Sequence, residues 1–347
     1  MRFHQNFILS LLFFVLLFAA LELKNVLLFQ STQWWVVNET AMGSVYNSDL
    51  YPDIILSKID SWPSWLITLT KFALVLIASL LVTRTSIKNL VFEERSYYPI
   101  LLFPSLTIGL FSSVGSIKML IVIILQVWLF SLLFKGFKRS SSIAEFFYAG
   151  LLTTISTLIY PQSIVSVATL LISVALLNRG AREFFCTIVG LIIPLFIYSY
   201  LNWISGSPFM AIANELWRSL TTPSTQNIAQ WVDTSNRLGI SILTLSAAPL
   251  VVASLAAISS MRNTLRYARR RQRKFLNLMV FQLLVVTFVS LFLPSSAPQT
   301  IVMNCVPLSI ILSHYFLQNN NRFSKWIFWL IPIGMVIYNF VLICKMY

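Results

Sequence analysis

Apolar runs of roughly fifteen to twenty residues succeed one another along almost the whole chain, separated by short polar segments. Crossing a hydrocarbon layer of ~30 Å takes about 20 helical residues. Inside lipid every backbone N–H and C=O must be paired within the structure, and runs of this length satisfy that rule as helices. They fall near 7–28, 66–83, 100–114, 119–134, 143–160, 164–178, 184–204, 239–260, 276–293, 301–317 and 326–345. The pattern predicts an all-α fold, a polytopic transmembrane bundle of about eleven helices forming a single integral-membrane domain over residues 1–347. The composition is consistent with this: 57% of residues are hydrophobic and 10% charged, where a soluble domain carries about 25% charged residues. The third run has Pro99 at its start and Pro104 inside it, which predicts a tilted or kinked crossing. The apolar start, after Arg2, reads as a retained first helix, because no clean small-x-small cleavage site follows Ala19-Ala20.

The formal charge of +14 is distributed as topology signals are, in short segments between apolar runs. A nucleic-acid partner is not expected, since no fold is present to present a basic face. With the N-terminus cytoplasmic, 18 of the 25 basic residues fall in inner segments. Removing one helix from the middle would turn the densest cluster outward, so the odd number of crossings and a periplasmic C-terminus are predicted together. Seven basic residues lie in the cytoplasmic loop 261–275, among them Arg269, Arg270, Arg271, Arg273 and Lys274. Near anionic headgroups each would contribute about 1 kcal/mol, which makes membrane lipid the expected partner of this segment.

Two large loops fall on the outer side, residues 29–65 and 205–238. The first gathers scarce acids, Glu39, Asp49, Asp53 and Asp60. A carboxylate at a membrane surface, partly desolvated, is suited to act as a general base. If the segment after Pro52 is helical, Asp53 and Asp60 share one face of an interfacial helix. Glu22 and Lys24 close the outer end of the first helix, and Lys71 lies about two turns into the second, within snorkelling reach of the same surface. In the second loop, Arg218 and Arg237 are candidates for gripping a phosphate. Glu215 and Asp233 stand three and four residues before them, so surface ion pairs on two short helices are the simpler reading. Seven of ten tryptophans are outer, as one side of an aromatic belt would be.

Elsewhere the polar residues read blandly. Glu145 at the start of the fifth helix suits the macrodipole, and His314 reads as a hydrogen-bonded packing residue. The three cysteines, Cys186, Cys305 and Cys344, lack metal or disulfide spacing and read as packing residues. Residues 38–40 match a glycosylation sequon, a short pattern that is common by chance. For a transporter, the midplane candidates are Gln126, Gln282 and Asn304, and ten glycines are few for a fold built on broken helices.

Three stretches together carry a resemblance: FEERSYYPILLFPSL, IAEFFYAGLLTTISTLIYPQSIV and LLNRGAREFFCTIVGLIIPLFIY. They resemble an uncharacterised family of multi-pass inner-membrane proteins of Bacteroidetes-type bacteria. Arg95, Pro99, Ala149, Gly150 and Pro161 match its pattern over roughly residues 84–204, while Glu145-Phe146-Phe147-Tyr148 stands where the family tends to have Phe-Asp. More distantly, the hairpin resembles the middle of integral-membrane glycosyltransferases that use polyprenyl-phosphate sugars. That likeness implies catalytic acids in the first outer loop, here Asp49 or Asp53. In the picture that follows, Lys71, Arg218 or Arg237 lies against the lipid phosphate, and there is room for a divalent metal although no cofactor motif is present. Two other readings stand beside it: a non-enzymatic membrane subunit of an envelope assembly, secretion or motility complex, binding a membrane-protein partner, and a transporter.

Overall fold

The computed structural model describes residues 6–27, 62–88, 96–110, 117–138, 142–177, 179–221, 254–255, 270–292, 299–318 and 322–346. Among them there is no strand. Four helices are long and apolar enough to cross a membrane: Trp65–Lys88, Ile117–Gly136, Ala181–Ile204 and Gln272–Ser290. The chain is an all-helical membrane protein. In order, the elements are α1 (Phe7–Leu27), α2 (Ser64–Lys88), α3 (Tyr98–Pro104) running on into a π-helical segment Ser105–Leu110, α4 (Ile117–Lys138) and α5 (Ile143–Ile159). A 3-10 turn, Pro161–Ile164, leads into α6 (Val165–Leu176), followed by α7 (Ala181–Ile204), α8 (Ala211–Thr221), α9 (Arg270–Phe292), α10 (Gln299–Val302), α11 (Cys305–Gln318) and α12 (Arg322–Met346). One contiguous apolar core runs from Phe14 to Met335.

Ring contacts and long-range hydrogen bonds sort the helix termini into two ends. Phe7 packs on Tyr97, and Tyr98 and Phe316 both pack on Phe328, so α1, α3 and α12 start at one end, where α11 finishes. The Arg179 guanidinium donates to the Gly136 carbonyl, which places the end of α6 beside the end of α4. At the other end Tyr160 and Thr300 share a hydrogen bond at 3.3 Å, bringing the α5–α6 turn against α10. The first end holds Arg84, Lys88, Lys135, Arg179, Arg182, Arg273, Lys274, Arg322 and Lys325, and is here called the basic end. Lys71 and Arg218 lie in the half towards the far end. Of the exposed tryptophans, Trp62, Trp65, Trp203 and Trp217 lie at the far end and Trp326 at the basic one, as in an interfacial belt, while Trp128 stands exposed midway along α4.

Helices α5 and α7 approach each other closely. A Cβ on Gly150 would stand 2.6 Å from the Thr187 carbonyl oxygen, and one on Gly190 would run into the Phe147 carbonyl. Small residues let two backbones approach this closely in a membrane. Thr154 then reaches across, its hydroxyl donating to the Leu191 carbonyl at 2.8 Å. The residues that matched the family pattern therefore have physical work: Ala149 is fully buried, Gly150 makes the crossing, Pro99 sits in the first turn of α3 and Pro161 opens the 3-10 turn. Arg95 lies outside the described residues.

Ten of the expected spans coincide with helices, and the eighth, near 239–260, lies outside the described residues except for Ser254 and Leu255. Three details differ from the sequence reading. The basic loop was expected to reach residue 275, but α9 already begins at Arg270, so Arg270 to Lys274 belong to a helix. Burial of Gln272 and Phe275 holds that first turn in the bundle, against a macrodipole that disfavours cations there. The tenth span is not one helix but two, α10 and α11, interrupted at Met303–Asn304. Pro307 is the cause: it has no N–H for the Met303 carbonyl, so the helix restarts, with the Asn304 carbonyl accepting from Leu308 at 3.0 Å. A broken helix arises here without glycine. In the third span, Pro104 is followed by the π-helical turn, and Ser105 and Thr107 donate their hydroxyls back to the Leu101 and Phe103 carbonyls.

Candidate functional site

Of the residues proposed from the sequence, Asp49, Asp53, Arg237 and Arg269 lie outside the described residues. Glu22 and Lys24 fall on the last two turns of α1, and Arg270 and Arg271 on the first turn of α9. Lys71 is half-buried on α2, seven residues from its start, and Arg218 is exposed on α8. Arg273 is exposed and Lys274 half-buried at the basic end. The structure thus places Lys71 and Arg218 in the same half of the bundle and the α9 cations at the opposite end.

How α8 comes to that position is read from its sequence. Gly206, with φ of 94°, ends α7 in a left-handed turn that suits glycine. The chain then reverses into an amphipathic helix. Ile212 and Leu216 pack on Leu158, Leu195 and Tyr198, while Trp217 and Arg218 face outward. One of the two short helices expected in this loop is therefore present. Its geometry is that of a helix lying along an interface.

Beside α8, the far half contains buried polar side chains that carry no charge. Asn304 donates its side-chain N–H to Thr287 at 2.9 Å, while its Oδ1 has no hydrogen-bond partner among the described residues. The Ser163 hydroxyl in the 3-10 turn and the Thr169 hydroxyl on α6 are likewise buried and unpartnered. The Tyr160–Thr300 bond ties the turn to α10, four residues before Asn304. Irregular backbone is tolerated at membrane depth where protein buries it or a cavity is lined by it, and broken helices often mark binding sites. Sequence reasoning missed Ser163, Thr169 and Thr287; only Pro307, read as a helix restart, would have pointed here.

The two midplane glutamines are both buried, Gln126 on α4 and Gln282 on α9. His314 is buried and engaged, as a packing residue would be. Cys186 and Cys305 are unpaired thiols. No group of three His, Cys, Asp or Glu suited to a metal occurs among the described residues.

Residues 73–347 match a family described as a family of unknown function, DUF6427. The chain belongs to this family. The DUF6427 match takes in α2 from Ala73 onward and every later helix, so the α5–α7 crossing, the broken α10–α11 segment and both glutamines are inside it. Glu22, Lys24, Asp49, Asp53 and Lys71 lie before its start. No curated protein and no solved structure matches the chain.

Proposed function

We propose that this DUF6427 member is an eleven-span protein of the bacterial inner membrane, glycosyltransferase-like, that binds or acts on a lipid-linked sugar at the outer leaflet. The observation that carries the reading is the set of buried, unpartnered, uncharged polar oxygens of Asn304, Ser163 and Thr169 in the same half of the bundle as Lys71 and Arg218. Buried carbonyl and hydroxyl oxygens accept from sugar hydroxyls, while cations nearer the surface suit the phosphate of a polyprenyl carrier. In this reading the basic end faces the cytoplasm, and Asp49 or Asp53 deprotonates the acceptor hydroxyl. Lys71, Arg218 or Arg237 neutralises the phosphate, and the carrier's tail lies among the helices. The test has two parts. Mass spectrometry of lipids retained by the purified protein is expected to find a polyprenyl-phosphate species. Asp49→Asn combined with Asp53→Asn is expected to reproduce the surface-glycan change of a deletion. Unchanged glycans in the double variant, beside a deletion that alters them, would remove the catalytic assignment.

A second reading is a non-enzymatic subunit of an envelope complex. What favours it is the start of the family match at residue 73, which leaves Asp49 and Asp53 outside the shared segment. The outward apolar face of α7, with Phe185, Ile192 and Phe196 exposed, is available to lipid or to a partner helix. A stoichiometric membrane-protein partner in a native pull-down, with no retained polyprenyl lipid, decides for it.

A further inference from the structure

Helices α4, α5, α6 and α9 close a ring: α4 packs on α5, α5 on α6 and α6 on α9, and α9 returns to α4 through Phe275 and Phe134, whose ring centroids are 3.9 Å apart. Since α4 ends and α9 begins at the basic end, the two run antiparallel. From the phenyl contact, Gln126 lies eight residues back along α4 and Gln282 seven residues on along α9. At 1.5 Å per residue these are about 12 and 10.5 Å towards the far end, which is the same depth. Both sit on buried ridges leading away from the phenyls. Phe134, Phe130 and Gln126 step by four, and Phe275, Met279 and Gln282 follow at i, i+4 and i+7, all buried. Yet neither amide has a hydrogen-bond partner for its oxygen or its nitrogen among the described residues.

A wholly unpaired amide in the middle of a membrane bundle is costly, and two at nearly one depth, on buried ridges that both lead from the Phe134–Phe275 contact, are not explained by packing. We infer that Gln126 and Gln282 line a binding site for an uncharged, hydroxyl-bearing ligand, a sugar or comparable polyol. The ligand class follows from the donors. Two amides supply four N–H donors and two carbonyl acceptors with no charge. Hydroxyl groups both donate and accept, so they satisfy that set, whereas an ion would find no counter-charge on these ridges. The described charged residues of α4 and α9 lie in their terminal turns. The inference goes beyond the outer-leaflet reading, because it places a sugar site about half-way through the bundle, and two sources fit the ligand: the headgroup of a glycolipid or a free sugar from solution.

The experiment is thermal unfolding of the purified full chain in nanodiscs. One arm incorporates monoglucosyl diacylglycerol, with diacylglycerol alone as control, and the other adds free glucose to plain nanodiscs. The expected result is a saturable rise of a few degrees in one arm, which identifies the source. Gln126→Met and Gln282→Met keep the volume and remove the donors. They are expected to abolish the rise while leaving the ligand-free midpoint unchanged or higher. Absence of a saturable rise in both arms overturns the inference, as does a rise retained in both variants. Failure of the methionine variants to fold also overturns it, because the amides would then be structural. If mass spectrometry finds a retained polyprenyl lipid but the variants respond as wild type does, only this site falls and the outer-leaflet reading stands.

Discussion

At the scale of single residues, the interior of this protein is polar in a restrained way. Most buried hydroxyls solve their own problem by donating one turn back, as Thr83 does to Ser79 at 2.8 Å, Thr153 to Ala149 at 2.9 Å and Ser290 to Val286 at 2.7 Å. Side chains that instead reach between elements stand out against that background. Asn304 with Thr287 and Tyr160 with Thr300 hold the broken helix to its neighbours. Such bonds between membrane helices are worth about 0.6 kcal/mol on average and up to about 1.7. Thr287→Val is expected to lower stability by about 1 kcal/mol, since it leaves a buried amide donor without its acceptor. A double-mutant cycle with Asn304→Leu, read by unfolding in detergent, should give a coupling of about 0.5–1.5 kcal/mol. Additive effects would show that the bond contributes nothing. The sequence named Asn304 only as a thin midplane candidate, because a hydrogen bond to a residue seventeen positions away leaves no local trace.

At the scale of elements, proline and glycine set the irregularities that matter. Pro307 restarts a helix and so creates the Asn304 break, and Pro104 precedes the π-helical turn. Gly150 and Gly190 do the opposite, allowing two regular helices to touch. Their crossing is the place where a small change should do the most damage. Gly150→Leu is expected to force α5 and α7 apart, because even a Cβ there meets the Thr187 carbonyl at 2.6 Å. The loss is expected to be at least about 2 kcal/mol, on the scale of overpacked cores. A Cβ on Gly206 meets nothing within 4 Å, so glycine-to-leucine there pays chiefly for its positive φ and should cost roughly 1 kcal/mol. Comparing the thermal midpoints of the two variants separates close packing from backbone strain. Equal losses would refute the crossing as the tighter constraint. From sequence, Gly150 was visible only through a family-like pattern, since the identity of its partner, Gly190, depends on how α5 and α7 meet.

At the scale of the whole molecule, the charge distribution and the fold support one another. The apolar runs assign alternating ends to successive helices, and the ring contacts place Arg84, Arg179, Arg273 and Arg322 together at one of those ends. With that end cytoplasmic, a phosphatase fused after residue 347 should be active outside, and a fluorescent protein inserted at residues 139–141 should fluoresce inside. A phosphatase-inactive C-terminal fusion would refute the odd number of crossings. The all-helical class, ten of the helices and the gathering of basic residues at alternate helix termini were readable from the chain alone, because hydropathy and charge act on each segment independently of its neighbours. Which helices touch was decided only by tertiary structure. The approach of Gly150 to Gly190, the broken helix beside Thr287, and Gln126 at the depth of Gln282 all depend on packing between segments far apart in sequence. Burial and unmet hydrogen-bond demand are properties of that packing, and no segment shows them by itself.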